Sequence, residues 1–428
     1  MRKNVAAPSH LLILAVLLSV QVALAQELSI RVFPDREVYV VGRDTLTMYG
    51  SCENKGEDVS VDVHVALITP DGLILEAPDW NADFRPTFSN IFLPSGLHIP
   101  ETEIGSHQVG DIRFPTVAPG DYLLAAALTS PGTLELMCEI NFAPFTVEAP
   151  AVPQIGTILC DGLERRLMFY VPKGLPSTPV PLVFMLHGAG CDAEMAIRLT
   201  QGRFNELADR DKVIVIYPEG INARWNNCYQ DAGRIMPDDV QFISTLIDEF
   251  SSAFSIDAER VYSAGHSNGG MMSLRLATEL SDRIAAVASC AGPSPVDSEC
   301  SDPVNPLGIL YIAGTADDIV PFYGSSYVMS ADDTVDFWRG FLDTDAEPSI
   351  TDIPDTVPDD NSTVRIYRYN NGLEGSRVWF YRIEGGSHGW PAPPSEEPSI
   401  SMGGNQDISA CDEIWSFFGL HTLSGSAN

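Results

Sequence analysis

The chain has 428 residues, with 58 acidic against 25 basic side chains and a formal net charge of -33 at pH 7. That excess excludes nucleic acid as a partner, because a polyanion is repelled and releases no counterions in exchange; the scattered acids read as a solvated surface. From Gln26 to Asn428 there is enough chain for two domains of the usual ~100–200 residues each.

At the N-terminus, Arg2 and Lys3, an apolar run from Leu11 to Val22 and then Ala23-Leu24-Ala25 follow the order of a secretory signal. Residues 1–25 are therefore expected to be removed and the protein exported, extracellularly or to a periplasm. Losing Arg2 and Lys3 and no acid would move the charge from -33 to -35. The run is shorter than the ~20 apolar residues that span a bilayer, so no stable membrane insertion is expected. In an oxidising compartment the 8 cysteines are expected to pair. Cys52 and Cys138 precede residue 150 and pair if no bond crosses it; Cys290 with Cys300, Cys191 with Cys228 and Cys160 with Cys411 is the favoured set among the rest.

Residues 26–149 read as a smaller all-β, antiparallel sandwich-like accessory domain. Val61, Val63, Val65 and Leu67 alternate with Asp62, His64 and Ala66 before a Thr69-Pro70-Asp71-Gly72 turn. Similar runs occur at 28–32, 45–49, 122–128 and 145–147, separated by Gly, Pro and Asn clusters. No catalytic constellation is visible there; His64, His98 and His107 are read as solvated or packed, and the domain's partner is unknown. Residues 150–154 form a Pro-containing linker. From 155 to 421 strands alternate with helices, the pattern of an α/β, doubly wound, mostly parallel sheet, and 422–428 is a tail. Val183-Phe184-Met185-Leu186 and Val213-Ile214-Val215-Ile216 are continuous apolar runs, as strands buried on both faces require. Helices are expected at 239–254, 271–280 and 408–418, and strands at 261–264, 284–289, 309–313 and 378–383.

Gly265-His266-Ser267-Asn268-Gly269 lies between a strand and a helix, the setting in which G-x-S-x-G holds a serine proud of a sheet. Ser267 is the expected nucleophile. A serine hydroxyl needs a base. His388, in the glycine-rich loop Gly385-Gly386-Ser387-His388-Gly389, fits best, whereas His266 adjoins the serine and is expected to point away. A carboxylate must then fix the histidine; Gly314-Thr315-Ala316-Asp317-Asp318 supplies two, of which Asp317 fits better than Asp318 by its spacing to Val320-Pro321. Ser, Asp, His is the chain order expected of an α/β-hydrolase. Asp238 and Asp239 are read as helix N-terminal acids. His187-Gly188-Ala189-Gly190 follows a buried strand, so the backbone N–H groups of Ala189 and Asn268, with Gly190 as substitute, are the expected oxyanion donors. Trp225, Tyr323 and Trp390, with Phe322, flank these motifs and are candidate substrate contacts. Neither C-x-x-C nor D-x-D-x-D-G spacing occurs, so no metal is expected.

Taken in order, Leu186–Gly190, Tyr217-Pro218-Glu219-Gly220, Trp225-Asn226, Asp238–Ile243, Val261–Met272, Gly314–Pro321, Gly385–Pro391 and Ile414–Phe418 resemble the polyhydroxybutyrate-depolymerase and feruloyl-esterase family of secreted α/β-hydrolase esterases. The resemblance implies a cofactor-free carboxylic ester hydrolase working through an acyl-enzyme. Its ester substrates include feruloylated or acetylated polysaccharides, aryl esters and, as the alternative, polyhydroxyalkanoates. Two departures from the family pattern are Ser387 before the histidine and the absence of a cysteine pair near Phe341 and Asn371. A non-catalytic binding module on the same fold and a peptidase are the readings from other classes.

Overall fold

A computed structural model describes residues 27–40, 44–77, 80, 85–108, 119–148, 151–228, 237–296, 301–394 and 404–426. The expected signal segment lies outside the described residues. The chain divides into two compact units, Met1–Pro150 and Ala151–Asn428.

The first unit is built of strands: β1 (Leu28–Pro34), β2 (Val38–Val40), β3 (Thr45–Asn54), β4 (Val59–Ile68), β5 (Ile74–Glu76), β6 (Phe88–Leu93), β7 (Leu97–Gln108), β8 (Gly120–Thr129) and β9 (Asn141–Glu148). They form one sheet in the order β1-β3-β7 and another in the order β2-β9-β8-β4-β5, with β6 also on β4. The pairing is antiparallel except between β2 and β9, which run parallel, so the expected antiparallel sandwich is mixed at one edge. Asp62 and His64 of β4 are buried, as are Val61, Val65 and Leu67, while Val63 is half-buried. His64 is satisfied by the Glu76 carboxylate at 2.7 Å and the Thr129 hydroxyl at 3.2 Å, which makes it a packed histidine. An apolar cleft of about 690 Å³ lies in this unit, lined by Val32, Met48, Val65, Trp80 and Ile104 among others.

The second unit begins at Ala151, and Gln154 already belongs to a strand, so the expected linker is shorter than 150–154. Its strands are β10 (Gln154–Cys160), β11 (Leu163–Tyr170), β12 (Val180–Leu186), β13 (Ile214–Pro218), β14 (Ile256–His266), β15 (Ala286–Cys290), β16 (Gly308–Gly314), β17 (Ser349–Asp352), β18 (Thr363–Tyr369) and β19 (Val378–Glu384). They make one sheet in the order β10-β11-β13-β12-β14-β15-β16-β19-β18-β17. The six strands from β13 to β19 in that order are parallel, and antiparallel hairpins extend both edges. Among the described residues it is covered by the helices α1 (Ala193–Leu199), α2 (Arg203–Asp211), α3 (Asp239–Ala253), α4 (Asn268–Glu279), α5 (Ala331–Leu342) and α6 (Ala410–Phe418). Alternate residues of β12 enter different cores. Leu182, Phe184 and Leu186 pack with α3, α4 and α5, and Val183 and Met185 with α1, α2 and α6. This is the doubly wound α/β-hydrolase architecture. The residues expected to be a tail instead close a small hairpin, His421–Thr422 against Gly425–Ser426.

Those two faces also correct the cysteine pairing. Cys160 belongs to one core and Cys411 to the other, with the sheet between them, and both are free. Cys191 and Cys290 are free as well, which removes the pairs drawn to Cys228 and Cys300; Cys228 is disulfide-bonded, and Cys300 lies outside the described residues. Cys52 and Cys138 share one small core but are free thiols, their pKa values raised by burial.

Candidate active site

In the sheet order the chain reverses direction at β12, placing β13 on one side and β14 on the other, and a crevice opens beyond the carboxyl ends of strands at such a switch point. The loops after β12, β14, β16 and β19 all leave at this end, and they carry Ala189, Ser267, Asp317 and His388 respectively.

Ser267 is the hinge between β14 and α4, with φ 53° and ψ -120°, a left-sided conformation that costs a non-glycine residue of order 1–3 kcal/mol. The turn is held by Ser267 N–H donating to Cys290 O at 2.8 Å. Two glycines make it possible. A Cβ on Gly265 would collide with the backbone of Gly269, and one on Gly269 with the Leu186 carbonyl oxygen. Asn268, the first residue of α4, has no intrahelical acceptor for its N–H, as at any helix start.

On the far side, Asp317 Oδ1 accepts from Ile319 N–H at 2.9 Å and Val320 N–H at 2.8 Å, while Oδ2 is 2.7 Å from His388 Nδ1. Both side chains are nearly buried. Asp318 points to solvent. Ala316 N–H donates to Gly386 O and Gly385 N–H to the Thr315 hydroxyl, both at 2.9 Å, which fastens the acid loop to the histidine loop. With Nδ1 facing a carboxylate, His388 carries its proton there and leaves Nε2 as the basic nitrogen.

The side expected to supply the oxyanion donors is organised by Trp225. Its indole N–H donates to His187 O at 2.9 Å, its backbone N–H to Asn268 Oδ1 at 2.7 Å, and its carbonyl accepts from Asn268 Nδ2 at 3.2 Å. His187 accepts from Gly220 N–H at 2.9 Å, and burial lowers its pKa. Gly190 N–H is already donated to Ala223 O at 2.8 Å, so Gly190 is not available as the substitute oxyanion donor. Among the described residues no backbone acceptor takes the N–H of Ala189.

Two of the candidate substrate contacts are corrected by burial. Trp225 is 2% exposed and Trp390 0%, so both are packing residues with no face left for a ligand. Phe322 is buried in the same way, whereas Tyr323 is 75% exposed beside the Asp317 loop. Asp238 caps α3, accepting from Gln241 N–H at 2.9 Å. Asp239 is more than a helix-end acid, because it forms a fully buried ion pair with Arg165 at 2.6 Å. His266 does not point idly away: its Nε2 lies 2.7 Å from the His388 carbonyl. No helix of the described residues is long and apolar enough to cross a membrane, and they contain no cluster of His, Cys, Asp and Glu able to hold a metal.

Residues 166–317 match the model of the family described as esterase PHB depolymerase. NocK of Nocardia uniformis subsp. tsuyamanensis, provisionally named an esterase, is 30% identical over 289 residues, 63% of this chain and 83% of NocK. The bifunctional acetylxylan esterase/xylanase XynS20E of Neocallimastix patriciarum is 26% identical over 62% of this chain, which spans 34% of that protein. Feruloyl esterase B of Piromyces equi is 29% identical over 52% of this chain and 42% of its own length. With the sheet order, the loop placement and this relationship to NocK together, the chain belongs to the esterase PHB depolymerase family of carboxylic ester hydrolases.

Proposed function

We propose that the protein is an exported serine esterase that works through an acyl-enzyme, with Ser267 as nucleophile, His388 as base and Asp317 as the group that orients it. The observation that carries this is the 2.7 Å contact between His388 Nδ1 and a carboxylate whose other oxygen is held by two backbone N–H groups. Anchored in that way, Asp317 fixes the tautomer that leaves Nε2 free to accept a proton, and stabilises the imidazolium that results. The strained turn lies in the loop after β14, at the same end of the sheet as the loop that carries His388, which supports Ser267 as the nucleophile. In the first step Ser267 Oγ bonds to the ester carbonyl carbon as His388 takes its proton; the N–H groups of Ala189 and Asn268 receive the oxyanion; collapse expels the alcohol, protonated by His388. Water repeats the sequence and releases the acid.

For substrates, the relatives named for acetylxylan and feruloyl esters favour polysaccharide-linked esters. A polyester is the second reading, favoured by exposed apolar side chains near the Asp317 loop: Ile319, Tyr323, Tyr327 and Val296. Rates on a feruloyl ester, acetylxylan, poly(3-hydroxybutyrate) and a p-nitrophenyl ester, measured side by side, separate the two. Ser267→Ala abolishes whichever activities are found, and the variant resists fluorophosphonate labelling. Turnover by a stable Ser267→Ala variant at near-parental rate refutes the assignment.

A further inference from the structure

His266 precedes Ser267 at the end of β14, its ring is buried, and no step of ester hydrolysis proposed above uses it. We propose that His266 is a positioning residue that locks the histidine loop to the nucleophile's strand through the backbone of His388 itself, an inference that rests on the assignment of Ser267 and His388. Its Nε2 is 2.7 Å from the His388 carbonyl oxygen, and a carbonyl only accepts, so the proton sits on Nε2. Nδ1 is left as the unprotonated nitrogen and faces Gly188, where a Cβ would come within 3.3 Å of it. The His266 ring lies 4.9 Å from the His388 ring and 6.4 Å from that of Trp390.

The geometry forms a chain of constraints. Asp317 and His388 are fastened to each other through the Ala316 N–H to Gly386 O bond and the carboxylate contact, but those bonds fix the acid and the base as a pair. The His266 bond ties that pair to Ser267, because His266 and Ser267 are adjacent on one backbone whose turn is anchored to Cys290 O; the Cys290 thiol adds a longer contact to Gly389 O at 3.9 Å. A neutral ring suits the task. Burial and the neighbouring His388 keep the pKa of His266 down at about 4, so it adds no positive charge beside the imidazolium that forms on His388.

The test compares His266→Gln, which restores an N–H donor, with the similarly shaped His266→Met, which has none, on a p-nitrophenyl ester, with thermal melting recorded for each. Positioning predicts an unchanged KM, a kcat about 10- to 100-fold lower in His266→Met, the scale of a displacement of about 1 Å at the reacting atoms, and substantial recovery in His266→Gln at a similar melting temperature. Equal kcat in the two variants overturns the proposal, as does a kcat loss that only tracks melting temperature; failure of both to fold assigns the ring a purely structural role and also overturns it. Ser267→Ala and His388→Ala run alongside. If those two retain activity the esterase assignment itself has failed, and if they are dead while His266→Met keeps parental kcat, only the role of His266 falls.

Discussion

Removing the Arg165 guanidinium is expected to loosen the oxyanion side of the site from the opposite end of a chain of contacts. Arg165 and Asp239 are both fully buried, with Nη2 2.6 Å from Oδ1; the same nitrogen donates to Glu219 O at 3.2 Å, and the guanidinium sits 3.8 Å over the centroid of Phe242. Asp239 Oδ2 accepts from Asn226 N–H at 2.7 Å, and Asn226 follows Trp225, whose backbone clips Asn268 in place. Arg165→Ala strands a carboxylate in the interior, a change that costs about 3–5 kcal/mol. At roughly 2–4 °C per kcal/mol for a domain of this size, the melting temperature falls by about 6–20 °C. Combining Arg165→Met with Asp239→Leu removes both charges and restores much of that loss, since a buried pair gains little over apolar filling. Recovery stays incomplete because Asn226 N–H then lacks its acceptor, at about 1–3 kcal/mol, and kcat remains below parental. Thermal melts and p-nitrophenyl ester kinetics on the parent, the single and the double variant test this. A single Arg165→Ala variant melting within about 2 °C of the parent would show that the pair bears no desolvated load.

Acid should destabilise the protein through two buried histidines. His266 and His421 both have pKa values held at about 4 by burial, against an ordinary 6.5, so the unfolded chain takes up protons that the folded one refuses. Their contribution is complete above pH 6.5 and lost as pH falls towards 4, by up to about 3 kcal/mol for each; urea titrations at pH 7 and 4.5 with no difference in stability would contradict this. Asp317→Asn should reduce kcat by about 10⁴-fold, the scale seen when a histidine loses its orienting carboxylate, while the exposed Asp318→Asn leaves it unchanged; the reverse pattern in steady-state kinetics would exchange their roles. Trp390→Ala empties a fully buried site and costs about 3–5 kcal/mol in a denaturation assay, whereas Tyr323→Ala leaves stability alone and, if the exposed ring meets substrate, raises KM.

What sequence reading reaches here is what short-range sterics decide. Gly265 and Gly269 are dictated by contacts within the turn and with the adjoining strand end, so their spacing around Ser267 carries the whole geometry of the turn in five residues. The continuous apolar runs at β12 and β13 announce strands covered on both faces for the same local reason. That same continuity hides which face any one residue takes, and the cysteine pairing fails on this point: Cys160 and Cys411 are kept apart by the sheet, which no spacing along the chain reveals. Proximity to a motif is equally uninformative about exposure. Trp225 is turned inward by bonds to His187 and Asn268, 38 and 43 positions away, and Trp390 by the second core, so both aromatics support the site from beneath while Tyr323, in the same run of motifs, faces solvent. His266 shows the limit most sharply, because its partner is a backbone carbonyl 122 residues on, an acceptor that every residue possesses and that leaves no mark in composition. The groups that perform chemistry must be particular residue types and can be read from a sequence; groups that hold them answer only to distance, and become legible once the chain is folded.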